Sequence, residues 1–516
     1  MSMSPIQQPV HIVRKDALHL WPETLVSIAL LVAFAWAEAQ TWLPADGSFQ
    51  IASLFTGILR FLIVISWLIL ISRLVHDEEL VGDRQFWITR PYTWYGLLSA
   101  KVLYIALFIC LPFLLMQAWL LHHAGLYPTL LIPALLKNQL YIVGVYLLPL
   151  FVIAAVTATF VRYISSVLAG FLYLFVVIAI AAYNWSDKLD APYITWILPV
   201  GVVILILAAL VLQYARRKTL IARLLLLAVP LCFVLFALLS PVNLLNNHRY
   251  PDTSAGTLTF NPDTALQQPA TGKLFTFQKK VLISLPVDGQ FTGLSDRSEL
   301  TAQRVRVTID DPGGFHYASD WTSEQASFSS SRKSSMLAFR VPQTVYDRIH
   351  NDNVAVHLRL GTQTFNPGTP YTVKAQESPF PLPGHAACTV TADDGNLECR
   401  FAFANPSFQT VQATVHNGNC VTPGPATAPA FAALAPSLMP FGFSPVDIVH
   451  TQLSVGESKA ALCAGTPTTF TSMTEGSYGR LALDIPSIKL DAYVLRIQPK
   501  QPQPTPQTEP QPEPQP

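Results

Sequence analysis

Seven apolar runs, each close to the length of a membrane-spanning helix, fill the first half of the chain. A helix needs about 20 apolar residues to cross the hydrocarbon core, where every backbone polar group must be bonded within the protein. Runs at about 23–43, 51–74, 101–121, 139–161, 164–183, 193–214 and 219–241 therefore predict a polytopic α-helical transmembrane domain over 23–241. The run beginning near Leu25 is too long for a signal-peptide core, and no small-residue cleavage site follows it. It is expected to be retained as a span.

Lys and Arg set the orientation. With residues 1–22 cytoplasmic, the inner side holds Arg14, Lys15, Arg73, Arg84, Arg90, Lys101, Arg162, Arg216, Arg217, Lys218 and Arg223. The outer loops hold only Lys137 and Lys188. Trp36, Trp42, Trp185, Tyr193 and Trp196 fall near span ends, as interfacial aromatics do. The expected location is the cell (inner) membrane, with everything from residue 242 extracytoplasmic. Charged residues are only 13% of the chain, against about 25% in ordinary globular proteins. A net charge of +1 gives no bulk attraction to nucleic acid, and no nucleic-acid partner is expected.

Two ionisable residues lie within spans, Glu38 and Arg60. A charge inside the bilayer is costly and is usually paired or wet. The first two spans are hairpin neighbours, so a Glu38–Arg60 pair is expected, either as a structural pair or as part of a polar pathway. Pro112, Pro149, Pro199 and Pro230 each remove one helical hydrogen bond and favour kinks or ordinary close packing.

Between the second and third spans lies a charged island, 76–101. Residues 76–88 can form a short amphipathic helix, with Asp77, Glu78 and Glu79 at its positive dipole end. Leu80, Val81, Phe86, Trp87 and Ile88 supply its apolar side. Pro91 stops it, because the residue before proline avoids the α region. A second helix is expected from near Tyr92 into the third span. Glu78, Glu79, Gly82, Thr89, Pro91, Leu97, Leu98 and Lys101 together resemble the first cytoplasmic loop of type-2 ATP-binding-cassette (ABC) transporter permeases. The resemblance covers about 20–220. The chain differs by Arg90 between Thr89 and Pro91, by Asp83 where Thr is usual, by a seventh span and by a large C-terminal region. The resemblance implies that loop 75–100, with Glu78, Glu79, Gly82, Phe86, Trp87, Thr89, Arg90 and Pro91, couples the membrane domain to a separate ABC ATPase subunit. It also implies a homodimer or heterodimer of membrane subunits in the lipid bilayer. A permease core that moves an external domain is as consistent as export. A generic interfacial loop without a partner is the plain alternative.

Residues 242–272 read as a linker, and 273–498 as an all-β, sandwich-like region split near 375–387 if it is two sandwiches. Candidate strands are 274–285, 303–309, 335–341, 353–360, 388–392, 397–403, 408–415 and 492–497. Cys388, Cys399, Cys420 and Cys463 all fall there, which suits an oxidising compartment. Asp394-Gly395 reads as a hairpin turn between Cys388 and Cys399. A Cys388–Cys399 bridge is therefore favoured, leaving Cys420 with Cys463, among three possible pairings. A zinc site is the alternative. The 421–446 stretch, with Phe431, Leu434, Leu438, Phe441 and Phe443, reads as a long loop folded onto the sandwich, or as a flexible contact loop. The Pro/Gln-rich tail 499–516 cannot form a core.

No catalytic constellation stands out. There is no P-loop, no G-x-S-x-G and no H-E-x-x-H. Asp310-Asp311 and Asp393-Asp394 are explained by turns, and His122-His123 by a span end. The chain is expected to be no enzyme and to carry no cofactor or metal. The alternative to a permease subunit is a membrane anchor that displays a β-sandwich for binding.

Overall fold

In the computed structural model, residues 7–42, 49–77, 94–189, 192–239, 247–252, 256–262, 273–274, 276–277, 279–291, 298–329, 334–374, 380–382, 386–391, 396–403, 411–416, 425–430, 442–452, 454–455, 458–459 and 467–497 are described. They form two compact units. The first joins Met1–Ser240 to Pro367–Thr474, and the second joins Pro241–Asn366 to Glu475–Pro516. The chain passes from one unit to the other at 240/241, 366/367 and 474/475. Two long strands, Val354–Lys374 and Pro467–Ile488, run through the last two crossings. The second of these was not expected from sequence.

The first unit opens with α1 (Gln7–His19), α2 (Trp21–Gln40) and α3 (Phe49–His76). Then α4 (Trp94–Ile105) continues into α5 (Leu111–His123), and α6 (Ile132–Ile142) into α7 (Leu148–Val156). Last come α8 (Phe160–Leu189), α9 (Pro192–Arg216) and α10 (Thr219–Leu239). Among the described residues five helices are long and apolar enough to span a membrane: Trp21–Gln40, Leu54–His76, Trp94–His123, Pro128–Val156 and Phe160–Val177. Gly201–Arg216 and Thr219–Cys232 are shorter apolar helices. The fourth helical run starts at Pro128, well before the expected 139. Pro128 and Pro133 fall at helix starts, where a missing N–H costs nothing.

Two prolines reshape their helices. Pro112 and Pro149 each follow a π-helical segment, Ala106–Cys110 and Val143–Leu147. The Leu111 N–H reaches back five residues to the Ala106 carbonyl, and Leu148 likewise to Val143. A proline ring clashes with the carbonyl four residues before it, and the wider turn relieves that clash. Pro230 instead sits inside α10.

Three aromatics, Phe34, Trp67 and Phe113, are fully buried in the first unit's core. The unit also contains a four-stranded antiparallel sheet in the order Phe380–Leu382, Ala386–Thr391, Asn396–Ala402, Val446–Gln452. In a further sheet, Val411–His416 lies between Pro425–Ala430 and the first part of Pro467–Ile488.

The second unit is sandwich-like. Gly256–Phe260, inside the stretch read as a linker, pairs with Lys280–Phe291, whose other neighbour is Ser334–Pro342. Glu299–Asp310 pairs with His316–Ala318, Thr322–Ser329 and Val354–Lys374. Alternate residues point inward, as a half-buried strand requires. Val281, Ile283, Leu285 and Val287 meet Val305, Val307, Ile309, Val356, Leu358, Leu360, Leu481 and Leu483 in one apolar core.

Candidate functional site

Ion pairs join the first unit's helices, and those of Lys101 and Arg73 lie at the two flanks of the island. At one flank α4 carries Lys101, whose Nζ donates to Asp16 Oδ2 of α1 at 2.8 Å. Both side chains are less than a tenth exposed. At the other flank Arg73, near the end of α3, donates to Glu23 of α2. One turn along, Thr24 and Tyr104 share a hydrogen bond of 2.7 Å. Burying two charges costs several kcal/mol each, so the Lys101–Asp16 pair depends on its close geometry, and loss of one partner leaves the other charge uncompensated.

The same end of the bundle terminates α7. Its last carbonyls have no helical partners. Arg223 of α10 donates to the Val156 carbonyl from Nε at 3.2 Å and from Nη2 at 2.7 Å. His76 Nε2 lies 3.2 Å from the Ala154 carbonyl and 3.1 Å from that of Thr157. A cationic group at a helix C-terminus also complements the dipole. The end of α3, which leads into the island, is thus fastened to α7 as well as to α2.

A further ion pair, with Glu38 buried, is the one expected from sequence. Arg60 Nη2 donates to both Glu38 carboxylate oxygens, each at 3.0 Å. The guanidinium also lies 5.4 Å from the centroid of the Phe34 ring. The pair links α2 and α3 towards the ends remote from the island.

Next to it stands a feature that sequence reasoning misplaced. Phe443, assigned to a loop on the sandwich, is fully buried among membrane helices. Its ring stacks on Trp67 of α3 with centroids 5.5 Å apart and an interplanar angle of 22°. Phe113 of α5 meets it edge-on at 5.5 Å, and Phe34 of α2 at 6.2 Å. The backbone is held too. Gln117 Nε2 donates to the Gly442 carbonyl at 3.0 Å and to that of Phe443 at 3.3 Å. Asn138 Nδ2 donates to the Gly442 carbonyl at 2.9 Å. A side chain at Gly442 would meet Asn138 Oδ1 at 2.6 Å, so glycine permits this approach. Arg400 Nη2 donates to the Trp42 carbonyl at 3.3 Å, a second link between the sheet region and α2.

The cradle is not fully satisfied. Gln117 Oε1 and Trp67 Nε1 are buried without a hydrogen-bond partner among the described residues. Burying a Phe side chain contributes about 1.5–3 kcal/mol. Each amide–carbonyl bond adds about 1 kcal/mol, and each unpaired buried polar atom costs about 1–3 kcal/mol. The two orphan atoms thus offset much of what the docked loop gains. A polar residue inside an apolar run was the available signal, because Gln117 interrupts the third span. Its partner on a distant loop left none.

In the second unit, Asp310 does more than make a turn. Its carboxylate lies 2.5 Å from His316 Nδ1 and 3.6 Å from His357 Nε2. His357 Nδ1 in turn meets Asp484 at 2.7 Å, and Arg359 donates to the same oxygen at 2.9 Å. Partial burial pushes the Asp484 carboxyl up, but the His357 and Arg359 hydrogen bonds and charges outweigh it and hold the group below the usual range. No group of three or more potential metal ligands is present among the described residues.

Glu78, Glu79, Gly82, Phe86, Trp87, Thr89, Arg90 and Pro91 lie outside the described residues, as do Cys420 and Cys463. Strand register places Cys388 directly opposite Cys399. Cys110 and Cys232 are free thiols within helices. No protein-family model and no curated protein matches the chain, so no relative's activity bears on what these residues do.

Proposed function

We propose that this chain is the membrane subunit of an ATP-driven transporter or transmembrane complex, driven by a separate ABC ATPase that docks on 76–91. One observation carries the reading. Both helices that flank the island are tied by ion pairs to the first two helices, Arg73 to Glu23 of α2 and Lys101 to Asp16 of α1. A displacement of the island would pass into α1, α2 and α4 together, and through His76 into α7. Closure of the ATPase supplies the push, and the helices respond by alternating access or by shifting the C-terminal sheets.

In this reading the membrane domain has seven spans, with α9 and α10 as the last two. The N-terminus is cytoplasmic and the C-terminal sheets are extracytoplasmic. The Arg400–Trp42 and Asn138–Gly442 contacts support that orientation, because the positive-inside bias puts the α2–α3 and α5–α6 turns outside. The opposed register of Cys388 and Cys399 supports a disulfide between them, since direct antiparallel partners fall within bridging distance. Two such chains, or this chain with a second membrane subunit, complete the assembly.

The test is purification from the native membrane in a gentle detergent, followed by mass spectrometry and an ATPase assay. A co-eluting P-loop protein that is lost when 76–91 is mutated is the expected result. Elution alone, with no ATPase activity, would leave a membrane anchor that displays a β domain.

A further inference from the structure

We propose that the cradle formed by Phe34, Trp67, Phe113, Gln117 and Asn138 is a binding site for a hydrophobic peptide segment bearing an aromatic side chain, and that Gly442-Phe443 is its resident stand-in. This goes beyond the ATP-coupled reading and does not depend on a partner ATPase.

The chemistry of the cradle is that of peptide recognition. Three aromatic rings enclose one aromatic side chain, stacked on Trp67 and edge-on to Phe113 and Phe34. Ring pairs at these separations select an aromatic over an aliphatic group. The polar contacts fall on main-chain atoms alone. The side-chain amides of Gln117 and Asn138 hold two successive carbonyls, and the Asn138 approach requires a glycine at the first of them.

The resident loop also fills this site incompletely. Gln117 spends its N–H donors on the loop, but its own carbonyl oxygen, buried beside the same loop, accepts nothing. The indole N–H of Trp67, whose ring covers Phe443, is likewise buried without an acceptor. A buried amide oxygen calls for an N–H donor and a buried indole for a carbonyl. A second peptide backbone supplies both, together with carbonyls for Gln117 and Asn138. A phosphatidylcholine supplies carbonyls and no N–H. The complement of the cradle is therefore a peptide segment, better matched than the loop that occupies it.

The experiment uses the full-length chain in lipid nanodiscs and a fluorescent N-acetylated Gly-Phe-Ser-Pro amide, whose sequence copies 442–445. Fluorescence anisotropy should show binding to Phe443→Ala at least tenfold tighter than to the unaltered chain. Adding Gln117→Leu should remove that gain, and a probe with Ala in place of Phe should not bind. Equal affinity for Phe443→Ala with and without Gln117→Leu would overturn the proposal. So would full displacement of the probe by a short-chain phosphatidylcholine, which would make the cradle a lipid site. Should Phe443→Ala not fold, a probe carrying benzophenone at the Phe position is photolysed with the unaltered chain. Cross-links mapping to α2, α3 or α5 near Phe34, Trp67 or Phe113 support the site, and cross-links confined to other segments refute it.

Discussion

Lys101 and Asp16 meet at 2.8 Å although 85 residues separate them, and neither side chain reaches solvent to any useful extent. The pair fastens the helix after the charged island to the helix that opens the chain.

Removing one partner should therefore be worse than removing both. Asp16→Asn or Lys101→Met alone leaves a buried charge and should cost about 3–5 kcal/mol. The double variant should recover most of that. Thermal unfolding in detergent measures the set, and a double variant no better than either single one would refute the assignment.

Arg60→Ala should destabilise the α2–α3 hairpin by about 1.5–3 kcal/mol, the usual range for a hydrogen bond to a charged group. Glu38 would be left buried and alone, whereas Arg60 is a third exposed, so the lower part of that range is expected. Arg60→Lys should rescue only part, because a point charge lacks the planar fork that meets both carboxylate oxygens. Unfolding midpoints of the three proteins decide this.

Peptide mapping without reduction should recover Cys388 joined to Cys399. Replacing both with Ala should lower the stability of the Ala386–Thr391 hairpin by about 2–3 kcal/mol, the range for closing a short loop. Free thiols at both positions in protein taken from the native membrane would refute the bridge.

The acid response of the second unit should depend on Asp484. Its carboxyl is held below the usual range when folded, so the stability it contributes is full above the unfolded carboxylate pKa, about 3.9. That contribution is lost as pH falls through the lower folded value. Hydrogen exchange along Val354–Lys374 should therefore rise below about pH 4 in the unaltered chain and less steeply in Asp484→Asn. Parallel profiles would refute the role of this carboxylate.

Charge reversal at Glu78 and Glu79, or Trp87→Ala, should reduce the yield of a co-purifying ATPase without altering the unfolding of the helices. Unchanged yield from folded variants would remove 76–91 as the docking segment.

The helices could be read from sequence because hydrophobic runs report the solvent that each stretch meets. The Glu38–Arg60 pair was equally legible, since only 22 residues separate the partners on consecutive helices. The antiparallel pairing that sets Cys388 opposite Cys399 was legible in the same way, because the two short strands are close neighbours in the chain. Such features rest on local pattern, and a chain carries its local pattern openly. Three others were decided only in the folded protein. Lys101 looked like a membrane-edge lysine until Asp16 came beside it. Pro112 and Pro149 are each preceded by a π-turn, where a kink or plain packing was as consistent with the sequence. Phe443, lying in a Pro- and Ala-rich stretch without periodicity, is placed by Gln117, 326 residues away, and by rings from three helices. Burial of one aromatic residue has no periodic signature. It depends on a cavity that exists only once distant segments have come together.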